Sequence, residues 1–175
     1  NMAFNKNRIT KLTLVDSADY EGIPQGWIFG STGGTVQIHS VGHNTYSFYL
    51  YKQVYGEDGK PLEGVYTDLN GDGKINSKDL YRSKSSEPKM TCGLSTSVSF
   101  RNWELSTSVR GSFGNYMYNN MNSALATYSN ILSPSKTILN APRNVFDTNF
   151  YLNQPLSDYY LENASFIKMD NLSLS

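Results

Sequence analysis

Apolar and polar residues alternate through residues 91–113, and the alternation is mirrored about the central pair Arg101-Asn102. A two-residue turn at this pair predicts an antiparallel hairpin with matched positions on its two arms. The predicted pairs of the apolar face are Cys92 with Gly111, Leu94 with Val109, Thr96 with Thr107, Val98 with Leu105 and Phe100 with Trp103. The other face takes serines together with Glu104 and Arg110. The pattern therefore predicts two strands with one apolar and one polar face.

The length of this hairpin fits a membrane, although its pattern does not require one. Each arm covers roughly the 9–11 residues that a tilted strand needs to cross a bilayer. The apolar face ends at the turn in Phe100 and Trp103, where the aromatic girdle of an outer-membrane barrel would lie. A half-buried strand of a soluble protein alternates in the same way. The hairpin alone leaves a transmembrane strand pair and a soluble hairpin equally open.

Other segments predict further strands. Residues 36–55 contain two extended runs separated by a glycine-containing turn, and the apolar residues of segment 9–14 indicate another strand. In residues 164–175 the alternation changes phase, so that one extra residue is needed to keep the leucines on the face of the preceding apolar residues. This slip predicts a β-bulge near Asp170-Asn171.

Residues 114–160 show little periodicity and are rich in Asn, Tyr, Ser and Pro. A structureless stretch of this length is unusual inside a compact domain, whereas long external loops are the rule on outer-membrane barrels. We therefore predict a long external loop here, with a short helix within residues 118–128.

Composition excludes several functions. The 175 residues carry 15 Lys+Arg and 15 Asp+Glu without a basic run, so the electrostatic footprint of a nucleic-acid-binding protein is missing. No apolar run approaches the ~18 residues of a membrane-spanning helix. The single cysteine, Cys92, is predicted to pack in the apolar face of the hairpin. No Ser-His-Asp set, nucleotide loop or zinc spacing appears, so we predict a protein that is not an enzyme.

Residues 68–79, DLNGDGKINSKD, match the spacing of an EF-hand-type calcium loop. The predicted ligands are oxygen atoms of Asp68, Asn70, Asp72, Lys74 (its carbonyl), Asn76 and Asp79. Gly73 lets the chain turn sharply enough to bring the later ligands round the ion. The twelfth residue is Asp rather than the usual bidentate Glu, and no amphipathic helix precedes the loop. The sequence thus predicts a structural Ca²⁺ site, with a metal-free turn rich in Asp and Asn as the alternative.

The order of several segments along the chain is informative when they are taken together. They are NKNRITKL, TYSFYLYKQVYG, GVYTDLNGDGKINSKD, a link at Glu87-Pro88, CGLSTSVSFRNWELSTSVRGSFGNYMYN and SDYYLENASFIKMDNLSLS. This series resembles the C-terminal half of the barrel of SusC-like (RagA-like) TonB-dependent outer-membrane transporters, over nearly the whole chain. The last segment is similar to the family signature D-x-x-SFLRLKNLTLGY. In this segment Ile167, Lys168, Met169 and Asp170 stand in place of the commoner Leu, Arg, Leu and Lys.

The resemblance implies an all-β fold, namely an antiparallel transmembrane β-barrel segment that is part of a large 22-stranded barrel with long extracellular loops. It implies the outer membrane of a Gram-negative bacterium, and TonB-dependent import of oligosaccharides, or of peptides in some members, together with a SusD-like surface lipoprotein. The chain shows no TonB box or plug and stops before the family's last strands. We therefore expect residues 1–175 to form part of a receptor barrel domain, with TonB contacted through parts outside this chain.

The resemblance also assigns surroundings to individual residues. The apolar face of the hairpin would meet the lipid bilayer, and its polar face would meet the barrel lumen. Five aromatic residues of the predicted external loop are candidates for contact with substrate or lid: Tyr116, Tyr118, Tyr128, Phe150 and Tyr151. Packing of these aromatics within the loop itself is the alternative.

A second function remains open at this stage. The calcium-type loop resembles one half of a dockerin, although the second loop that a dockerin needs is missing. The alternative is therefore a soluble, secreted, calcium-stabilised β-module that binds glycans or a scaffold protein.

Overall fold

The computed structural model describes residues 1–14, 20–30, 34–132 and 138–175, and strands dominate it. The strands are β1 (Met2–Phe4), β2 (Ile23–Trp27), β3 (Thr35–His39), β4 (Ser47–Tyr51), β5 (Gln53–Tyr55), β6 (Pro61–Tyr66), β7 (Leu80–Ser85), β8 (Met90–Phe100), β9 (Trp103–Phe113), β10 (Tyr116–Tyr118), β11 (Leu161–Asn163) and β12 (Phe166–Leu174). The helices are α1 (Asn120–Leu125), α2 (Tyr128–Ile131) and α3 (Val145–Thr148), with 3₁₀ turns at Ser77–Asp79 and Asp158–Tyr160. Within the described ranges, none of these helices has the length and apolar character needed to cross a membrane.

The hairpin of β8 and β9 has the predicted register. Its pairs run from Met90 opposite Phe113 to Phe100 opposite Trp103, with Arg101 in the left-handed backbone region that tight hairpin turns use. The large side chains of the apolar face are exposed, including Leu94 at 64% and Val98 at 61%. No described part of the chain therefore covers this face.

Strands β1, β8, β9 and β12 form one antiparallel sheet, in that order. The register of β12 on β9 shifts between Met169 and Asn171, which confirms the predicted bulge and places Asp170 in it. The bulged carboxylate forms an ion pair with Arg110 of β9, at 3.1 Å. Beyond the bulge, Leu172 and Leu174 lie opposite Thr107 and Leu105, so β12 keeps its apolar residues on the apolar face of the hairpin.

A second region is built on the sheet β2-β3-β4-β7, with the two-stranded pairs β5-β6 and β10-β11 beside it. Its hydrophobic core is a single cluster of buried side chains: Val36, Phe48, Leu50, Tyr118, Phe150 and Tyr160. Half of these come from β3 and β4, and half come from the segment that lacks periodicity. The core therefore joins segments that lie about 100 residues apart in the sequence.

The structure corrects two expectations about local structure. The helix predicted within residues 118–128 is confirmed by α1, but segment 114–160 also carries β10, α2 and α3 and contributes to the core. The strand expected in residues 9–14 is wrong, because these residues form no strand. Instead Ile9 donates its N–H to the His43 carbonyl and accepts a hydrogen bond from the Gly42 N–H, at 2.9 and 2.8 Å.

Candidate functional site: an aromatic cleft and an acidic loop

A cleft lies where β2, β3 and β4 meet β10 and α1, and we call it the aromatic cleft. It consists of two adjoining cavities of about 320 and 400 Å³. Both cavities are lined by Met117, Tyr118 and Asn120, so they adjoin one another at β10. The first also touches Trp27 and Tyr116, and the second extends to Met121 and Glu162.

The lining combines aromatic rings with neutral hydrogen-bonding groups. Trp27 is 75% exposed at the end of β2 and lines the first cavity. The side chain of Gln37 lies close to Gly26, where an added Cβ would stand 2.9 Å from its Oε1. Gln37 makes no side-chain hydrogen bond to the described residues, so its amide remains available to a ligand. The cation of Lys84 lies 5.5 Å from the centre of the Tyr116 ring and holds that ring by a cation–π contact.

This arrangement can hold a flat, neutral, hydroxyl-rich molecule. Aromatic faces bind apolar C–H surfaces, whereas amide groups donate and accept hydrogen bonds without adding charge. A few polar groups converging in a largely apolar cleft are typical of small-molecule sites.

The five aromatic residues proposed from the sequence fall in different places. Tyr116 and Tyr118 line the aromatic cleft, although Tyr118 is 9% exposed and belongs to the core. Phe150 is 1% exposed and is a core residue, so its ring offers no surface to a ligand. Tyr128 is half-buried with its hydroxyl 3.4 Å from Asn149 Oδ1, whereas Tyr151 is exposed. The structure thus brings two of the five to the cleft.

Sequence reasoning did not identify Trp27, Gln37 or Met117 as cleft residues. Trp27 lies in the glycine-rich segment 16–34, for which the sequence indicates a surface loop or a short hairpin. In the structure Trp27 ends strand β2, which pairs antiparallel with β3 as the hairpin alternative requires. No sequence signal marks it as a cleft residue, because single exposed apolar side chains are common on protein surfaces.

The acidic loop, residues 68–79, is folded by hydrogen bonds from its own backbone. Asp68 accepts the N–H groups of Gly71 and Gly73 on its two carboxylate oxygens, at 2.7 and 2.8 Å. Asp72 accepts the N–H of Lys74 at 2.9 Å, and Asn70 accepts the N–H of Asp72 at the same distance. The predicted ligand residues therefore lie along one tight turn, with Asn76 capping the 3₁₀ turn that follows.

Asp79 closes this loop. Its buried carboxylate accepts the N–H groups of Asn76, Leu69 and Asn70 at 2.8, 3.0 and 3.4 Å. These backbone donors, with that of Asn76 the strongest, hold the pKa of Asp79 below its usual value. The carboxylate is consequently ionised at neutral pH.

In the described residues, no three His, Cys, Asp or Glu side chains are grouped closely enough to hold a metal ion. The ligand set proposed from the sequence also relies on asparagine and carbonyl oxygens, which lie outside such a grouping. Calcium binding at the acidic loop stays a prediction.

Comparisons with known proteins point to one kind of protein. The chain is 36% identical over 179 residues to the TonB-dependent receptor SusC of Bacteroides thetaiotaomicron, an alignment that covers 99% of this chain and 18% of SusC. It is 25% identical over 195 residues to the TonB-dependent receptor P3 of Formosa agariphila, covering 99% of this chain and 19% of that protein. No protein-family model matches the chain.

Solved structures agree in fold. The RagAB peptide transporter matches with a TM-score of 0.62 at 20% identity, over 99% of this chain and 20% of that one. The RagAB peptide importer in its "open-open" state matches with a TM-score of 0.61 at 21% identity, over 99% of this chain and 19% of that one. The chain thus spans about a fifth of the length of the proteins it matches.

Proposed function

Because the chain belongs to the SusC/RagA-like TonB-dependent receptors, we propose that it forms part of an outer-membrane β-barrel that imports nutrients. The observation that carries this proposal is the 36% identity to SusC, which extends over 99% of the chain. The sheet β1-β8-β9-β12 supports it, since an apolar face would meet lipid and a polar face would meet the lumen. The outer edges of β1 and β12 have no partner strand in the described part, and in a barrel neighbouring strands would pair with them.

The imported solute is proposed to be an oligosaccharide, captured with a SusD-like lipoprotein and moved with energy delivered through TonB. The aromatic cleft supports this choice, because Trp27 and Tyr116 contribute aromatic rings to its lining and Gln37 has an amide without a hydrogen-bond partner among the described residues. None of the described residues that line its first cavity is charged, which suits a neutral sugar. A peptide is the second candidate, since the matching solved structures are those of a peptide transporter. The relatives are receptors and transporters, and we propose no enzymatic activity.

Trp27→Ala tests the role of the aromatic cleft. We expect it to weaken oligosaccharide binding by the full-length receptor about three- to tenfold, because a stacked aromatic contact contributes roughly 0.5–1.5 kcal/mol. A strain that lacks the gene is first screened for lost growth on a panel of polysaccharides and on a peptide mixture. Isothermal titration then measures binding of fragments of the polysaccharide that the strain has lost.

Phe29→Ala is the matched control for this experiment. Phe29 is 73% exposed, like Trp27, and lies two residues further on, but it does not line the cleft. Its loss should leave binding unchanged. Equal affinity of both variants and the wild type would contradict the cleft as a solute site, and lost growth on peptides alone would favour the peptide alternative.

For the acidic loop, we propose a structural Ca²⁺ ion held by oxygen atoms of residues 68–79. The loop already gathers its carboxylates and amides in one tight turn, and Asp79 is ionised and fixed at its end. Calcium at a hundredfold excess over its dissociation constant would stabilise the folded loop by about 2.7 kcal/mol. Protection of this loop from proteolysis, measured on the full-length receptor with and without Ca²⁺, checks the expectation.

Two aspartates on exposed turns provide the comparison. Asp72→Asn should abolish the calcium-dependent protection, because it removes a charged ligand. Asp58→Asn changes the same charge in the turn between β5 and β6, where Asp58 accepts the Lys60 N–H at 3.0 Å, and it should leave the protection intact. Protection that does not respond to Ca²⁺ in the wild type would show a metal-free turn.

A further inference from the structure

A polar pocket lies on the side of the sheet β2-β3-β4-β7 where β3 turns into β4, and it is separate from the aromatic cleft. Its volume is about 240 Å³, and it is lined by Tyr20, Glu21, Ser40, Val41, His43 and Arg82. Arg8 lies beside it. We call this site the arginine pocket.

Arg82 is fixed in this pocket with part of its guanidinium unused. Its Nε donates to Ser40 Oγ at 2.8 Å, and its Nη2 donates to the Glu21 carbonyl at 2.9 Å and pairs with the Glu21 carboxylate at 2.5 Å. The Tyr49 ring supports the guanidinium from one side, 5.1 Å away. Nη1 has no acceptor among the described residues. The N–H groups of Nη1 can therefore donate charge-assisted hydrogen bonds to an oxyanion such as a carboxylate.

Arg8 brings a second positive charge, and none of the described residues forms an ion pair with it. Its segment is held against the β3–β4 turn by the two backbone hydrogen bonds that join Ile9 to Gly42 and His43. Its guanidinium packs on bare backbone, since a Cβ at Gly42 would stand only 3.4 Å from Nη2. Arg8 makes no hydrogen bond or ion pair with the described residues.

His43 lies near both cations. Burial, together with the positive charges of Arg82 and Arg8, lowers the pKa of His43 below its ordinary value. Among the described groups that line the pocket, only Glu21 carries negative charge, and its carboxylate is paired with Arg82. Within this described set, positive charge exceeds negative charge at the pocket.

We infer that the arginine pocket binds an oxyanion group, a carboxylate or a sulfate, through Arg8, the free Nη1 of Arg82 and His43. The assignment of this group to an imported solute rests on the proposed function, whereas the binding itself does not. The rings of a solute with such a group would bind in the aromatic cleft, and its charged group would bind in the arginine pocket. The arginine pocket would therefore favour acidic solutes over neutral ones.

The test titrates the purified full-length receptor in detergent with sodium sulfate and, separately, with sodium glucuronate, at constant ionic strength in chloride. We expect saturable binding of at least one probe. Arg8→Gln should weaken it about tenfold or more, the usual effect of losing one charge-assisted hydrogen bond. Since Arg8 contacts no hydrogen-bonding partner in the described protein, the variant should keep the thermal transition of the wild type.

Arg101→Gln is the matched control, because it removes the same charge from the β8–β9 turn. It should bind both probes within about twofold of the wild type. Absence of saturable binding in the wild type, or equal affinity of Arg8→Gln and the wild type, would overturn the inference. This titration measures binding of an anion to the purified receptor and does not depend on nutrient uptake. The transport proposal can therefore fail while the binding proposal holds, and the two failures are distinguishable.

Discussion

Leu94→Arg is expected to reduce strongly the amount of full-length receptor assembled in the outer membrane. Leu94 lies near the middle of β8 on the apolar face, opposite Val109, and its side chain is exposed. An arginine facing lipid near the bilayer centre costs about 2–4 kcal/mol, and the cost falls to about 0–1 kcal/mol near the interface. Val98→Arg, which lies closer to the hairpin turn, should therefore have a smaller effect. Heat-modifiable receptor in outer-membrane fractions gives the measurement.

Ser95→Arg is the control, because Ser95 is the next residue along the strand and faces the other side of the sheet. Its hydroxyl lies 3.1 Å from that of Ser108, so the substitution removes at most one exposed hydrogen bond. An arginine facing the proposed lumen should be tolerated far better. Equal loss for Leu94→Arg and Ser95→Arg would contradict the assignment of faces. A wild-type receptor that stays in the aqueous phase without detergent would contradict the barrel and favour the soluble module.

The hairpin of β8 and β9 and the bulge in β12 could be predicted from the sequence in detail, and there is a physical reason. Strand side chains alternate with a period of two, so a mirrored pattern about Arg101-Asn102 fixes both the register and the faces. The same counting located the bulge, because Met169 and Leu172 can share a face only if one residue between them is left out of the pairing. Local pattern suffices where each strand has two chemically different faces.

The aromatic cleft could not be predicted in this way. Its first cavity brings Trp27 and Gln37 together with Tyr116, about 80 residues further along the chain, and no local pattern records that proximity. The prediction of a strand in residues 9–14 was wrong for a related reason. The backbone of Ile9 forms hydrogen bonds with Gly42 and His43, and these hold the segment in an irregular conformation. Long-range contacts outweigh local preference in both places.

The burial of Phe150 shows what pattern analysis misses in a segment without periodicity. Helix α3 ends at Thr148, and the following residue, Asn149, adopts a left-handed conformation with a φ of 57°. This turn directs the next side chain, Phe150, into the core, where its ring lies 6.5 Å from that of Tyr159. Asn tolerates this backbone conformation better than most residues, so the Asn149-Phe150 pair was the local signal.

Phe150→Ala is therefore expected to destabilise the region built on β2-β3-β4-β7 without affecting the sheet β1-β8-β9-β12. Removing a fully buried phenylalanine costs roughly 3–5 kcal/mol, through lost burial and the cavity left behind. Phe150 shares its cluster with Phe48 and Tyr118, which line the aromatic cleft. Hydrogen exchange of the full-length receptor should show faster exchange in β3, β4 and β10, with unchanged protection in β8 and β9.

Tyr151→Ala is the control for Phe150→Ala. It also removes an aromatic ring, but the ring of Tyr151 is 56% exposed, so the pair tests whether burial of the ring is what stabilises the region. Its backbone N–H donates to a carboxylate oxygen of Glu63 at 3.1 Å, and this contact survives the substitution. We expect exchange rates close to those of the wild type for this variant. If Tyr151→Ala loosened β3 and β4 as much as Phe150→Ala does, the core assigned to Phe150 would be wrong. If Phe150→Ala instead weakened solute binding while Tyr151→Ala did not, the core would be shown to hold the cleft in shape, since neither ring touches the cleft.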